Sequence, residues 1–292
     1  MERIGRGRRD WGAYVFLAPY LLLFFMFLVL PLVCGLVLSL MRYELVSPLP
    51  TKFIGMGNYA EAVGDSRFWR SLWATGQFVL MEVPSTVLLA LLLAVLLDRV
   101  SGRRAWAYRL AIFLPTMITV SVVGLVWRWF YNNEFGVLNA ILAHFGVPKV
   151  PWITSTRMAM PSLVLMSVWW TVGTPTLILL AGLQSISPSY HEAAAIDGAT
   201  AWQRFRHITL PLLRPVMLFV VVTYTIGAFQ VFGQPFIVTG GGPVMSTHVL
   251  VQYIYETAFQ AYRLGYGAAM SWMLFVLIAG ISIVVFRVMR EE

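Results

Sequence analysis

The chain has 292 residues, of which 59% are hydrophobic and only 12% are charged. Soluble domains carry about 25% charged residues, so the composition excludes a soluble globular protein. In so apolar a chain, the net charge of +8 indicates orientation in a membrane rather than nucleic-acid binding. The single cysteine, Cys34, excludes a disulfide framework. The four histidines lack zinc-site spacing, and neither lysine stands in a phosphate-binding loop.

Six apolar stretches are long enough to cross a bilayer, which needs about 20 residues. We predict spans at about 12–41, 71–97, 109–131, 158–183, 214–236 and 268–287. With the N-terminus inside, the inner segments hold 13 Lys and Arg residues and the outer segments hold 8. Because basic residues resist translocation, this bias places both termini in the cytoplasm. The prediction is an all-α, polytopic membrane protein with one transmembrane domain over 1–292.

Aromatic residues at the outer end of the third predicted span, Trp127, Trp129 and Tyr131, are typical of a belt at the headgroup level. We therefore expect these rings to anchor the span at the membrane surface. A binding site is the less favoured interpretation of this cluster.

Polar side chains at membrane depth are costly, so they indicate a bundle interior or a substrate path. Glu82 lies near the middle of the second span, an aromatic and hydroxyl cluster lies in the fourth, and a polar stripe with i, i+4, i+7 and i+11 spacing lies on the fifth. The candidate path residues are Glu82, Trp170, Thr174, Tyr224, Gly227, Gln230 and Gln234, with Trp169, Thr171, Pro175 and Thr223 beside them. Two alternatives stay open. The glutamines also suit hydrogen bonds between helices, and Glu82 suits a buried pair with Arg128 or with a partner subunit.

The inner loop between the fourth and fifth spans, at about 184–213, predicts two short helices. Ser187 and Pro188 form a helix start, and Asp197-Gly198 signals the turn that ends this first helix. Thr200 and Gln203 have the spacing of a capping box that starts the second helix. We expect Ala201, Phe205, Ile208 and Leu212 to form its apolar face, and Pro211 and Pro215 to interrupt the backbone.

This loop resembles the EAA loop found in the membrane subunits of binding-protein-dependent ABC importers. Glu192-Ala193-Ala194, Gly198 and Ile208-x-Leu210-Pro211 match its pattern in order and spacing, and Phe205 with Pro215 resembles the carbohydrate branch. Further matching segments extend the resemblance over nearly the whole chain: Gly57-Asn58-Tyr59, Gly136-x-Leu138-Asn139 and Thr239-Gly240-Gly241-Gly242-Pro243. The last of these is similar to the first-permease, maltose MalF-like type rather than its MalG-like companion.

The resemblance implies a type I ABC importer permease fold and a pore-forming, non-enzymatic subunit. Its implied partners are a MalG-like permease, two ATPase subunits, an extracytoplasmic substrate-binding protein and membrane lipid, in the plasma membrane of a bacterium or archaeon. ATP and Mg would be bound by the ATPase subunits, and this chain itself would bind no cofactor. The implied coupling contacts are Glu192, Ala193, Ala194, Asp197, Gly198, Arg204, Phe205 and Pro211.

Three other interpretations compete with an importer subunit. The loop suits an amphipathic segment on the lipid surface, although such a helix favours bulky apolar residues over an alanine run. A secondary transporter would be expected to show coupling carboxylates in several spans and paired repeats, whereas Glu82 alone is intramembrane. An intramembrane enzyme would need a catalytic constellation at membrane depth, and none is present in the sequence. A sugar, polyol or glycerol-phosphate derivative would suit the implied importer as cargo.

Overall fold

The computed structural model describes residues 11–46 and 50–291, and the basic segment at residues 3–9 lies outside them. Within this part, the chain is mostly helical. It forms two compact units, Met1–Gly64 with Ile254–Met273, and Asp65–Tyr253 with Leu274–Glu292.

The first unit begins with a long apolar rod made of α1 (Trp11–Phe24), a π-helical turn and α2 (Leu30–Ser39). Two short antiparallel strands follow, β1 (Met41–Arg42) and β2 (Lys52–Phe53), and then α3 (Gly57–Gly64). The side-chain amide of Asn58 donates to the carbonyl oxygens of Ser39 and Met41, at 2.8 and 2.9 Å. This bond pair fixes the first turn of α3 to the end of α2.

The second unit is built around α4 (Ser66–Asp98), which packs most extensively against the later helices α8, α9 and α12. The other helices of this unit are α5 (Gly102–Phe113), α6 (Val120–Phe130), α7 (Val137–His144), α8 (Ala159–Thr171), α9 (Gly173–Gln184), α10 (Pro188–Ile196), α11 (Ala201–Arg204), α12 (Leu210–Phe229) and α13 (Gly233–Val238). The last two helices, α14 (Leu250–Tyr255) and α15 (Leu264–Glu291), each have residues in both units. Small and apolar side chains of α4, including Ala90 and Ala94, are fully buried, which allows close helix contact.

In the described part of the chain, four helices are long and apolar enough to cross a membrane: Phe16–Ser39, Ser66–Asp98, Ala201–Phe229 and Leu264–Met289. They lie at the first, second, fifth and sixth predicted spans. The predicted spans at 109–131 and 158–183 are not straight helices. Each is a bent pair, with bends of 96° and 50°, so length and composition allow up to six spans.

The two bends have identifiable causes. Pro115 lies in a 3₁₀ turn after α5, and the carbonyl oxygen of Ile118 beyond it accepts a hydrogen bond from the Trp170 indole at 3.0 Å. In the second pair, Pro175 has no N–H for the Thr171 carbonyl oxygen four residues earlier. Gly173 lets the start of α9 approach the end of α5 closely, because a Cβ atom at this position would lie 2.9 Å from the Cα of Phe113.

The predicted interruption at Pro211 and Pro215 is wrong, because one continuous helix runs over Ala201–Phe229. A π-helical turn, Phe205–Thr209, precedes Pro211, and the N–H of Leu210 bonds to the carbonyl oxygen of Phe205 five residues earlier. The wider turn makes room for a proline ring that would crowd a regular α-helix.

The aromatic belt at the end of α6 also needs correction. Trp127 is 9% exposed and Tyr131 is fully buried, whereas Trp129 is 53% exposed. Trp127 packs against Trp169, and the Tyr131 hydroxyl donates to the carbonyl oxygen of Ser162 at 2.6 Å. Two of the three rings therefore pack within the protein, where Trp127 contacts Trp169 and Tyr131 contacts Trp152.

Candidate functional site

A cavity of about 520 Å³ opens within the second unit. Its walls come from α4, α6, α8, α9, α12 and α13, together with the segment that joins the last two helices. All seven candidate path residues line it: Glu82, Trp170, Thr174, Tyr224, Gly227, Gln230 and Gln234. Three separate stretches of sequence are thus brought to one space.

Glu82 is the one carboxyl group on the described wall of this cavity, and its side chain is 4% exposed. The Thr86 hydroxyl, one helical turn later, donates to Glu82 Oε1 at 3.1 Å. Glu82 Oε2 is buried and has no hydrogen-bond partner among the described residues. The predicted alternative of a pair with Arg128 is wrong for the described chain, because Arg128 is exposed and forms no salt bridge with Glu82.

The aromatic side chains of the wall are held through their polar atoms. Trp170 bonds to Ile118 as described above, and the Tyr224 hydroxyl donates to the carbonyl oxygen of Thr171 at 3.1 Å. The rings of Trp170 and Tyr224 thereby line the cavity while their donors stabilise two helix breaks. Trp169 does not line the cavity, because it lies against Trp127.

The polar stripe predicted for one fifth span is divided between two helices. α12 ends at Phe229, so Gln230 lies in the connecting segment and Gln234 lies in α13. Neither glutamine side chain forms a hydrogen bond with any described residue. The two glutamines therefore do not lie on one face of a single helix, as their spacing predicts, although both line the same cavity.

Most of the apolar half of the wall is not predicted from the sequence. It is formed by Phe78, Val120, Ile178, Phe219, Val220, Val231 and Phe232, together with Ala228 beside the predicted polar stripe. Apolar residues on an apolar helix give no contrast, so periodicity alone does not identify them. One signal was available at Val120. Pro115 predicts a helix boundary, and Val120 begins the next helix at the cavity.

The EAA-like loop has the local structure that its sequence predicts. Ser187 occupies the N-cap position of α10 with Pro188 in the first turn, but its hydroxyl pairs with that of Ser189 and makes no capping bond to the backbone. Gly198 has the left-handed φ of +80° that ends the helix. Thr200 and Gln203 form the capping box, with bonds of 2.7 and 3.3 Å. No residue of α10 is buried, and Ile196 is 88% exposed. A helix with no buried face lacks a packing partner within the described chain.

The second helix of the loop presents a different face from the predicted one. Phe205 and Ile208 are half-buried, but Ala201 and Leu212 are exposed, while Thr209 and Leu213 are buried. The π-helical turn causes this change, because an additional residue in one turn rotates the following side chains around the helix axis. Pro211 is exposed.

Two clefts flank the loop, with volumes of about 440 and 400 Å³. Glu192 lines one cleft, while Ala194, Asp197 and Gly198 line the other. Arg204 borders both, and its guanidinium donates to the carbonyl oxygen of His191 at 3.5 Å. Arg204 thus braces the two helices of the loop against each other. Ala193 is exposed beside these clefts.

The loop is joined at both ends to helices that line the cavity. α9 contributes Thr174 and Ile178, and α12 contributes Tyr224 and Gly227. The two helices pack closely where they enter the loop, because a Cβ atom on Gly182 would lie 2.8 Å from Leu213 Cδ1. The loop is therefore continuous with two walls of the cavity.

Three comparisons relate the chain to known proteins. Residues 54–290 match the family model described as binding-protein-dependent transport system inner membrane component. The sulfoquinovosyl glycerol transport system permease protein SmoG of Agrobacterium fabrum is 36% identical over 96% of this chain and 91% of its own length. The trehalose/maltose transport system permease protein MalF of Thermococcus litoralis is 36% identical over 95% and 93%.

A solved structure has the same fold. A chain of the bacterial ABC transporter involved in the import of the acidic polysaccharide alginate superposes with a TM-score of 0.81 and 25% sequence identity, covering 97% of this chain and 96% of that chain. The lactose transport system permease protein LacF of Rhizobium radiobacter is 33% identical over 97% of this chain and 95% of its own length. The chain therefore belongs to the family of binding-protein-dependent transport system inner membrane components, among which its relatives are sugar ABC transporter permeases.

Proposed function

We propose that this chain is the first-permease subunit of an ATP-driven importer that takes up a sugar or related polar solute. An extracytoplasmic binding protein delivers the cargo, and a second, MalG-like permease completes the pore. Relatives named for trehalose and maltose, lactose and sulfoquinovosyl glycerol support a sugar cargo. The chain forms up to six spans with both termini in the cytoplasm, and it contributes no enzymatic group of its own.

The observation that carries the proposal is the physical link between loop and cavity. α10 buries none of its residues, so its exposed alanine and glutamate face is available to another protein. We assign this face, with Glu192, Ala193 and Ala194, to a groove on a cytoplasmic ATPase subunit. Closure of two ATPase subunits around ATP and Mg would move α10, and Gly182 would transmit the movement to α12.

Cargo passage is assigned to the cavity. Aromatic faces with hydroxyl and amide groups suit a polyhydroxylated solute, and Trp170, Tyr224, Gln230 and Gln234 supply them. The glutamines support this role because their side-chain groups are unused within the described chain. Asp197, Phe205 and Pro211 belong to the loop that shapes the docking helix rather than to the path.

The test is ATP hydrolysis by the assembled importer, stimulated by its cargo-loaded binding protein. Ala194→Trp should abolish the stimulation, because an indole on the docking helix prevents close contact with the ATPase subunit. Ala261→Trp, at an exposed alanine of the first unit, is the matched control and should retain it. Normal stimulation with Ala194→Trp would remove the coupling role from α10.

A further inference from the structure

The charged groups of the cavity wall indicate which class of solute the cavity accepts. Among its described lining residues the cavity has one carboxyl group, Glu82, and no lysine, arginine or histidine. Its other polar side chains are hydroxyls and amides, from Thr171, Thr174, Thr223, Tyr224, Gln230 and Gln234. An anion that leaves water for such a space needs a compensating positive charge, which this wall does not supply.

The single negative charge of the wall is located at Glu82. The side chain is 4% exposed, and Thr86 occupies only Oε1. Oε2 is enclosed by protein atoms and accepts no hydrogen bond within the described chain, while the Glu82 residue borders the cavity. A carboxylate, sulfonate or phosphate group of a solute in the cavity would place a like charge close to the Glu82 carboxylate, whereas a hydroxyl group would not.

We propose that Glu82 is a specificity-determining residue that restricts the cavity to polyhydroxylated solutes without negative charge. The inference rests on the proposed function, because it requires the cargo to pass through this cavity. It distinguishes the chain from two proteins that it resembles: the alginate importer, whose description specifies an acidic polysaccharide, and SmoG, which is named for the sulfonated sugar sulfoquinovosyl glycerol. Gln at position 82 would keep the shape of the side chain and remove the repulsion.

The experiment measures the electrostatic potential of the cavity without knowledge of the cargo. Cys34 is replaced by Ser, and Thr174→Cys places one thiol on the cavity wall of the assembled importer, whose partner subunits are made cysteine-free. Rates of modification are measured at pH 8 with 2-(trimethylammonium)ethyl and 2-sulfonatoethyl methanethiosulfonate, which carry opposite charges. Glu82→Gln should lower the ratio of cationic to anionic rate on the order of tenfold.

A matched control uses Thr156→Cys, an exposed position outside the cavity, where Glu82→Gln should leave the ratio unchanged. If Glu82→Gln does not assemble, Glu82→Thr gives the same comparison. An unchanged ratio at position 174 would overturn the proposal. ATP hydrolysis stimulated by the binding protein tests the proposed function separately, because the thiol reaction requires neither ATP nor cargo.

Discussion

The hydroxyl of Tyr224 donates to the carbonyl oxygen of Thr171, at 3.1 Å, at the point where the second bent pair breaks. In an unbroken helix this oxygen would accept the N–H of residue 175, but Pro175 has none. A side chain from α12 therefore supplies the donor that the backbone of α9 lacks. Non-helical backbone at membrane depth is tolerated where protein groups satisfy it in this way.

Tyr224→Phe should destabilise the purified importer by about 1 kcal/mol, because it leaves the Thr171 carbonyl oxygen without this donor. The uptake rate should fall as well, since the bend positions Trp170 and Thr174 on the cavity wall. Thermal unfolding of the complex and uptake assays provide the measurements. Tyr108→Phe, at a half-exposed position, is the control, and equal unfolding temperatures for the two variants would contradict this role.

Gln230→Leu and Gln234→Leu should reduce uptake or alter its specificity while the complex still assembles. Each change removes hydrogen-bonding groups at nearly constant volume, and a polar contact between spans contributes only about 1 kcal/mol to assembly. Uptake is compared with the yield of purified complex. Loss of assembly with normal uptake per assembled complex would identify the glutamines as an interface between subunits.

Gly227→Leu should block uptake without unfolding the chain. A Cβ atom at Gly227 meets nothing within 4 Å, so the larger side chain would extend into the open cavity that Gly227 lines. Gly280→Leu is the matched control, because position 280 is equally open and lies outside the cavity. Equal uptake by the two variants would show that solute does not pass this point.

Gly198→Ala should weaken coupling more than Gly198→Asn does. The backbone φ of +80° strains a side chain by about 1–2 kcal/mol, and Asn tolerates this region better than Ala. A Cβ atom at position 198 meets nothing within 4 Å, so the expected loss of coupling arises from backbone strain and not from a clash within the chain. The ratio of uptake to ATP hydrolysis distinguishes the variants. A lower ratio for Asn than for Ala would be inconsistent with this explanation.

Local signals predicted the start, the turn and the capping box of the loop, whereas the face of its second helix and the bends of the spans could not be predicted from them. The capping box of Thr200 and Gln203 involves neighbours in sequence, so its chemistry can be inferred from spacing. Pro84 lies inside an unbroken α4, yet Pro115 and Pro175 accompany bends. The difference lies in partners such as Trp170 and Tyr224, which sequence spacing does not reveal.

The cavity wall likewise contains residues that the sequence predicts and residues that only the fold reveals. The polar residues of the wall were predicted because polar groups are conspicuous in an apolar span. Gln230 and Gln234 were assigned to one helix because their spacing is helical, but the helix ends at Phe229. The apolar wall required the fold itself, since Val120 reaches the cavity through the bend between α5 and α6.

Topology is tested by labelling single cysteines with a membrane-impermeant thiol reagent in sealed cells. Val244→Cys should react from outside and Ser189→Cys should not, because the basic-residue bias places them on opposite sides. Val244 is 90% exposed, which makes it a better probe than the neighbouring Ser246, whose hydroxyl is buried. External labelling at position 189 would contradict cytoplasmic placement of the loop.

Uptake into proteoliposomes tests whether this chain transports only as part of an assembled, ATP-driven importer. The importer is reconstituted with both permeases, both ATPase subunits and the loaded binding protein, and its uptake is compared with that of this chain alone under an ion gradient. We expect accumulation only by the assembled importer and only with ATP on the ATPase side. Accumulation by the isolated chain, driven by the ion gradient, would contradict this expectation.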